Sequence, residues 1–289
     1  MYARVAVAST IALLGIAASF LSAAPSRAAD HDRPVIVAHR GASARAPENT
    51  LAAVDKAAGL GFEWVENDVQ RTKDGTLVVI HDATLERTTD VEELYPGRAP
   101  WGVRDFTAAE ISRLDAGSWF GAAYRGQRVP TLEQYLRRIS HNRQKLVLEI
   151  KNPQLYPGIE NQTLKVLGDE GWLAADHVRG RLIVQSFSIA SVQAVHTLRP
   201  DVKTGYLGTP SLAQLPTYSR FADQINASYK TITKSYVSAL HAYRGPHGAP
   251  VEIFTWTVND RTGALHTAGF GVDGIITNKP DVVRAALGG

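Results

Sequence analysis

Between residues 34 and 289 of this 289-residue chain, short β-rich runs alternate with amphipathic helical stretches, and few folds accept that order. The predicted strands are Val35–His39, Glu63–Gln70, Lys145–Ile150, Leu182–Ser186, Val202–Leu207, Gln224–Ala227, Glu252–Thr257 and Gly274–Thr277. Helical segments such as Thr50–Gly59, Thr131–Ile139, Gln162–Gly171 and Ile189–Leu198 fall between them. Eight such units over roughly 250 residues match a single-domain α/β chain of the (β/α)8 TIM-barrel class. A doubly wound parallel sheet is the rival architecture. With 44% hydrophobic and 20% charged residues, disordered, collagen-like and coiled-coil classes are excluded. Cysteine is absent, which removes disulfides, thiolate metal sites and cysteine nucleophiles.

The first residues follow a different logic. Arg4 precedes the uncharged run Val5–Ala24, and Pro25, Ser26, Arg27, Ala28 and Ala29 follow it. A basic start, an apolar stretch and a small-residue end describe a secretory signal peptide over residues 1–28, cleaved after Ala28 or Ala29. An anchoring helix is the alternative, since about 20 apolar residues can span a bilayer. The alanine content and the break at Pro25 favour removal, so the expectation is a secreted chain without stable membrane insertion. The formal charge is +3, from 31 Lys and Arg against 28 Asp and Glu. Without Arg4 and Arg27 it becomes 29 against 28. That balance lacks the basic excess of a nucleic-acid-binding surface, so no nucleic-acid partner is expected.

One strand-like run breaks the alternation. Thr76–His81 follows Gln70 across RTKDG, a linker too short for a parallel crossover but suited to an antiparallel hairpin. If Asp74 and Gly75 form a two-residue loop, His81 stands opposite Asp68; a turn centred one residue earlier puts it opposite Glu66. A 45–50-residue insertion, about residues 83–130, comes next. Its aromatics, glycines and prolines (PWGVRDF, GSWFGAAY) suggest an ordered lid or substrate wall.

The charged residues of these strands form a pattern. Glu66 and Asp68 lie two apart on one strand, hence on one face, with Cα atoms about 6–7 Å apart. Glu149 and Lys151 repeat that spacing in KLVLEIK. Inward residues near the carboxyl ends of barrel strands point into the mouth, and three carboxylates converging there need a cation. Oxygen-only ligation suits a hard divalent ion, Ca²⁺ or Mg²⁺. The alternative, solvated charges on edge strands, fits poorly with strands as apolar as these. His39-Arg40-Gly41 closes the first strand, and Gly41 permits the bend that lets His39 and Arg40 share one site. Of nine histidines, only His39 and His81 fall at strand ends beside the acidic cluster. Two imidazoles, an Arg and a Lys around a metal suit an anionic phosphoester, with the cations neutralising phosphate and the histidines moving protons. Phe187 and Trp256, at the ends of late strands, are candidates to line the pocket, with barrel-core packing as their alternative role.

The stretch AHRGASARAPENTLAAVDKAAGLGFEWVENDVQRTKDGTLVVIHDATLERTTD resembles the front of the glycerophosphodiester phosphodiesterase family. GSWFG, VPTLEQYL, LVLEIKN, QSFS, FTWTVND and DGIITNKP extend the resemblance from about Val35 to Asp281. It implies a metal-dependent barrel hydrolase that cleaves a small-molecule glycerophosphodiester to glycerol 3-phosphate and an alcohol. It places the metal carboxylates on Glu66, Asp68 and Glu149, acid/base catalysis on His39 and His81, and phosphate contacts on Arg40 and Lys151. Glu48, in PEN, matches a further family position beside the substrate. One divalent ion is expected, with Ca²⁺ favoured because extracellular Ca²⁺ sites are tuned to about 10⁻⁴–10⁻³ M. A lysophospholipase D or sphingomyelinase D-like activity on lipids is the alternative, favoured by an exposed apolar rim around the insertion. A non-catalytic relative is the third reading, and it would be expected to lack one of these residues. The nucleophile, water or a substrate hydroxyl, the order of the histidines and the oligomeric state stay open.

Overall fold

The computed structural model describes Tyr2 and residues 33–289. The expected signal peptide, apart from Tyr2, lies outside the described residues. Nine strands form one sheet: β1 (Val35–Ala38), β2 (Trp64–Arg71), β3 (Leu77–Val79), β4 (Lys145–Ile150), β5 (Leu182–Ser186), β6 (Lys203–Leu207), β7 (Gln224–Ser228), β8 (Glu252–Trp256) and β9 (Gly274–Thr277). Eight of them pair in parallel in the order β1-β9-β8-β7-β6-β5-β4-β2, and β1 pairs again with β2. That last pairing closes the sheet into a TIM barrel. The helices anticipated between strands are present, including Leu51–Gly59, Leu132–His141, Ile159–Asp169 and Ile189–Leu198.

Apolar burial occurs in layers. Val37, Val147, Ile183, Phe254 and Ile276, from five strands, fill the barrel interior. Two larger clusters seal the strands against the helices. A fourth belongs to the insertion: Leu85, Val91, Val103, Phe106, Ile111, Leu114 and Val129 pack with Val78 and Ile80 of the hairpin. Segment 83–130 therefore carries its own core, built from short turns of helix on the hairpin strand, and is an ordered wall.

The hairpin forms, but in neither anticipated register. Val69 pairs with Val79, Gln70 with Val78 and Arg71 with Leu77, so His81 falls level with Asn67. The loop holds three residues, not two. The Gly75 amide bonds to Thr72 O (3.1 Å), Gly75 takes φ +89°, and the Thr72 amide bonds back to Thr76 O (2.9 Å). A turn closed by a left-handed glycine adds one residue to the loop and moves the pairing by one. β1 pairs with β2 only at Trp64 and Val65, so β3 adds to the upper part of the edge that β1 leaves open.

At the top of β1 the chain turns sharply. Arg40 and Gly41 have φ +56° and +78°, and a Cβ on Gly41 would lie 2.6 Å from the Ala53 carbonyl carbon. Glycine is needed there for its backbone angle and for the close approach to the following helix. Gly41→Ala should cost about 2–4 kcal/mol, combining left-handed strain and overpacking. Gly75→Ala meets open space and should cost only about 1 kcal/mol. Urea unfolding of both variants checks the difference; equal losses would mean the Ala53 contact carries no weight.

Candidate active site

All ten candidate residues lie at the carboxyl ends of strands or in the loops that follow them. Asp68 and Glu149 are register partners on neighbouring parallel strands, and Glu66 sits two residues before Asp68 on the same face. Pairing therefore does what spacing alone could not. One oxygen of each carboxylate lies within 4.8 Å of the others, and the residues are 1%, 0% and 6% exposed. Burial and mutual repulsion drive Glu66 well above the usual carboxylate range and push Glu149 up to about 8. Burial also opposes ionisation of Asp68, yet Arg40, His81, Lys151 and Asn49 hold it below the usual range.

The donors around Asp68 are incomplete. Asn49 Nδ2 donates to Oδ2 (2.8 Å), and Arg40 Nε lies 3.3 Å from the same oxygen without hydrogen-bond alignment. Oδ1 is buried with no hydrogen bond among the described residues, and Lys151 Nζ lies 3.8 Å from it. Three buried carboxylates of which one keeps an unsatisfied oxygen fit a hard divalent ion. Glu66, Asp68 and Glu149 could hold it, the one such group among the described residues.

Two arms meet this cluster. From β1, the His39 amide bonds to Thr277 O, Nδ1 lies 2.5 Å from Asn278 Oδ1, and Nε2 lies 3.9 Å from Glu66 Oε2. Since the Asn278 carbonyl only accepts, Nδ1 carries the proton and Nε2 presents its lone pair to the cluster. Burial and the adjacent Arg40 guanidinium push His39 down to about 4. Arg40 donates its backbone N–H to Glu66 (3.0 Å) and Nη1 to Glu48 (2.9 Å). Glu48 is thus occupied by guanidinium groups, including Arg87, and stands behind Arg40. Thr50 caps the helix Leu51–Gly59, which anchors the PEN loop, and Asn49 takes the left-handed angle that Asn tolerates (φ +59°).

From the hairpin, His81 Nε2 comes within 3.2 Å of Lys151 Nζ, and Lys151 pairs with Glu149 at 2.9 Å. His81 Nδ1 lies 2.6 Å from Asp82 Oδ1. His81 therefore joins the cluster through Lys151 and not directly opposite Glu66 or Asp68, as the shifted register requires. On the far side Phe187, half exposed, stands edge-on to Trp256 (centroids 5.6 Å apart, 80°), and Lys151 Nζ lies 5.4 Å from the Phe187 ring. Trp256 spends its indole N–H on Asn226 O (2.9 Å) and offers only its ring.

Comparison with known proteins decides the lineage. A family model described as the glycerophosphoryl diester phosphodiesterase family matches residues 39–282. The chain belongs to that family. A glycerophosphodiester phosphodiesterase of Caldanaerobacter subterraneus is 36% identical over 255 residues, covering 87% of this chain and 96% of the relative. One from Bacillus subtilis is 34% identical over 265 residues, covering 87% and 85%. Among solved structures, a phosphodiesterase of Oleispira antarctica in complex with the product sn-glycerol 3-phosphate superposes with TM-score 0.76. It is 29% identical and covers 89% of this chain and 98% of that one.

Sequence reasoning assigned no role to several residues that this phosphodiesterase-family site uses. Asn49 bonds Asp68, Asn278 bonds His39, Asp82 meets His81 and is itself held by Arg87, and Gln70 holds the hairpin end. Buried Gln70 donates to the carbonyls of Ile80, His81 and Asp82 (3.1, 3.0 and 2.5 Å), while Tyr156 bonds its oxygen (3.0 Å). Asn49 and Asp82 adjoin Glu48 and His81, and Asn278 sits inside the motif DGIITNKP, which was the available signal.

The position of His39 has a titration consequence. An unfolded histidine binds its proton near 6.5, whereas His39 binds it near 4 in the folded chain. As pH falls from about 6.5 to about 4 the unfolded state gains a proton first, so this group removes stability; above 6.5 it has no such effect. Titration of the ion-free protein by NMR, with His39→Gln assigning the signal, should show it ionising near pH 4. A midpoint near 6.5 would refute the buried, neutral ring.

Proposed function

We propose that the chain hydrolyses glycerophosphodiesters to glycerol 3-phosphate and an alcohol, using a divalent cation and two histidines as acid and base. The observation that carries this reading is the grouping of Glu66, Asp68 and Glu149 with His39, His81, Arg40 and Lys151 in one barrel mouth. Family membership over residues 39–282 and the product held by the Oleispira relative point the same way. When bound, the cation neutralises phosphoryl charge and orients the diester.

The chain's own groups supply the rest. Arg40 and Lys151 take the anionic phosphate oxygens. His39, neutral and with Nε2 bare, accepts the proton of the nucleophile. His81, with Nδ1 on Asp82, donates from Nε2 to the leaving alkoxide, and Asp82 stabilises the imidazolium that this needs. With water as nucleophile the products form directly; with the neighbouring glycerol hydroxyl, a cyclic phosphate forms first and is then opened, a species that phosphorus NMR detects. Phe187 and Trp256 line the organic part of the substrate.

A soluble small-molecule substrate is favoured over a lipid. Of the large apolar residues in 83–130, only Leu94 and Trp119 are exposed among the described residues, 37% and 41%. Leu85, Val91, Val103, Phe106, Ile111, Leu114 and Val129 pack inside the insertion, while Phe120 and Tyr124 stay half-buried beside Trp119, which leaves a small apolar rim for an acyl chain. No helix among the described residues is long and apolar enough to cross a membrane. Export is part of the proposal, resting on the run from Val5 to Ala24. Ca²⁺ follows from it, since an exported protein meets calcium at the concentrations that weak extracellular sites use.

Purified protein should turn over glycerophosphocholine and glycerophosphoethanolamine faster than lysophosphatidylcholine, and chelator should abolish the reaction. Retained activity after exhaustive chelation, or exclusive action on the lysolipid, would overturn the reading. Glu66→Gln and Glu149→Gln should lose both bound ion and turnover. Bound Ca²⁺ should raise the thermal midpoint, by about 2.7 kcal/mol of stability at a hundredfold excess over Kd.

The histidines give a separate test. His39→Ala and His81→Ala should each lower kcat by about 10²–10⁴ with the ion retained. His266→Ala, on the helix Arg261–Ala268 against Phe270, should leave turnover unchanged. Near-wild-type turnover by His81→Ala would move the second proton carrier elsewhere.

A further inference from the structure

One cationic side chain touches both arms of the site without entering the carboxylate cluster. Arg87 leaves the hairpin at the start of the insertion. Its Nη1 and Nη2 donate to the two oxygens of Glu48 (2.9 and 2.7 Å). Its Nε and Nη2 donate to the two oxygens of Asp82 (2.5 and 3.0 Å). Gripping two carboxylates with paired N–H groups uses the planar fork of a guanidinium, which an ammonium lacks. Glu48 also takes Arg40 Nη1 (2.9 Å), and Asp82 faces His81 Nδ1 at 2.6 Å. An unbroken line of charge-assisted hydrogen bonds thus runs Arg40–Glu48–Arg87–Asp82–His81.

We propose that Arg87 is a positioning residue for the reaction: anchored on Glu48, it fixes Asp82 so that the carboxylate holds the Nδ1 proton of His81 and turns Nε2 into the mouth. The inference rests on the functional reading above, in which His81 is the acid. Asp82 neighbours His81 in sequence, and among the described residues Arg87 and the ring itself are what bond its oxygens. Gln70 already clamps the backbone carbonyls of Ile80, His81 and Asp82, so what is left to set is the ring, which Asp82 meets at Nδ1 and Lys151 at Nε2. The Arg87 side chain is 43% exposed, and exposed ion pairs contribute little to stability, so its effect should appear in the chemistry more than in the fold.

The experiment has one arm independent of turnover. Nitrogen-15 NMR of His81, assigned with His81→Gln, should show in the wild type that Nδ1 keeps its proton whether the ring is neutral or charged. In Arg87→Met the signal should move toward a mixture of tautomers. Kinetically, Arg87→Met and Asp82→Asn should each lower kcat at least tenfold with KM changed less than threefold. The double variant should be no slower than the worse single, because both act through one ring. Arg87→Lys, which can hold one carboxylate but not grip both, should fall between wild type and Arg87→Met, and it carries the comparison should Arg87→Met fail to fold. An unchanged His81 signal, or losses that multiply in the double variant, would overturn the role of Arg87. A wild type inactive on every glycerophosphodiester would instead overturn the functional reading.

Discussion

Three buried carboxylates drawn to one point are the constraint on which the rest of this molecule depends. Like charges in a poorly solvated barrel mouth destabilise the folded state unless compensated, and the structure meets that demand from several directions. Arg40 arrives from the first strand, Lys151 from the fourth, and Asn49 from the first βα loop. The compensation is partial: Glu66 and Glu149 keep strongly raised proton affinities, and Asp68 keeps an orphaned oxygen. A site left short of positive charge in this way is poised to take a cation, and behind it the phosphate that the cation attracts. Binding capacity and local instability are the same feature seen from two sides.

The barrel supplies this convergence by register. Asp68 and Glu149 meet because β2 and β4 pair residue for residue, and hydrogen-bonded strands lie about 4.8 Å apart. Inside the barrel Val37, Val147, Ile183, Phe254 and Ile276 pack together, and the buried amides of Gln185, Gln224 and Asn226 bond one another. The hairpin is then laid on the one edge of β2 that β1 does not use, so an imidazole reaches a mouth that parallel strands alone would leave without a second histidine.

Much of this was legible in the chain. Alternating runs gave the barrel because burial on both faces of a parallel sheet leaves a strong apolar signature, and strand boundaries moved by only a residue or two. Glu66, Asp68 and Glu149 stood out because charge in an apolar strand has few explanations. The hairpin register was not legible, since it hung on whether Gly75 added a third loop residue, and DG turns allow either outcome. Asn49, Asn278 and Gln70 were invisible for a different reason. Neutral amides carry no charge pattern or periodicity, and their importance comes from partners distant in sequence, such as Asn278 to His39.

These amides and the guanidinium of Arg87 share a physical role that explains why the two histidines differ. His39 gives its Nδ1 proton to a neutral carbonyl, in a buried position beside a cation, and so stays unprotonated. His81 faces an ionised carboxylate, which Arg87 and the ring hold down to about 2, and sits 30% exposed. Two identical side chains on opposite arms of one mouth thereby have different partners at Nδ1, a neutral amide oxygen at His39 and a carboxylate at His81. In the proposed acid/base cleavage of a diester, the partners behind the rings, Asn278 for one and Asp82 with Arg87 for the other, are what distinguish the two histidines.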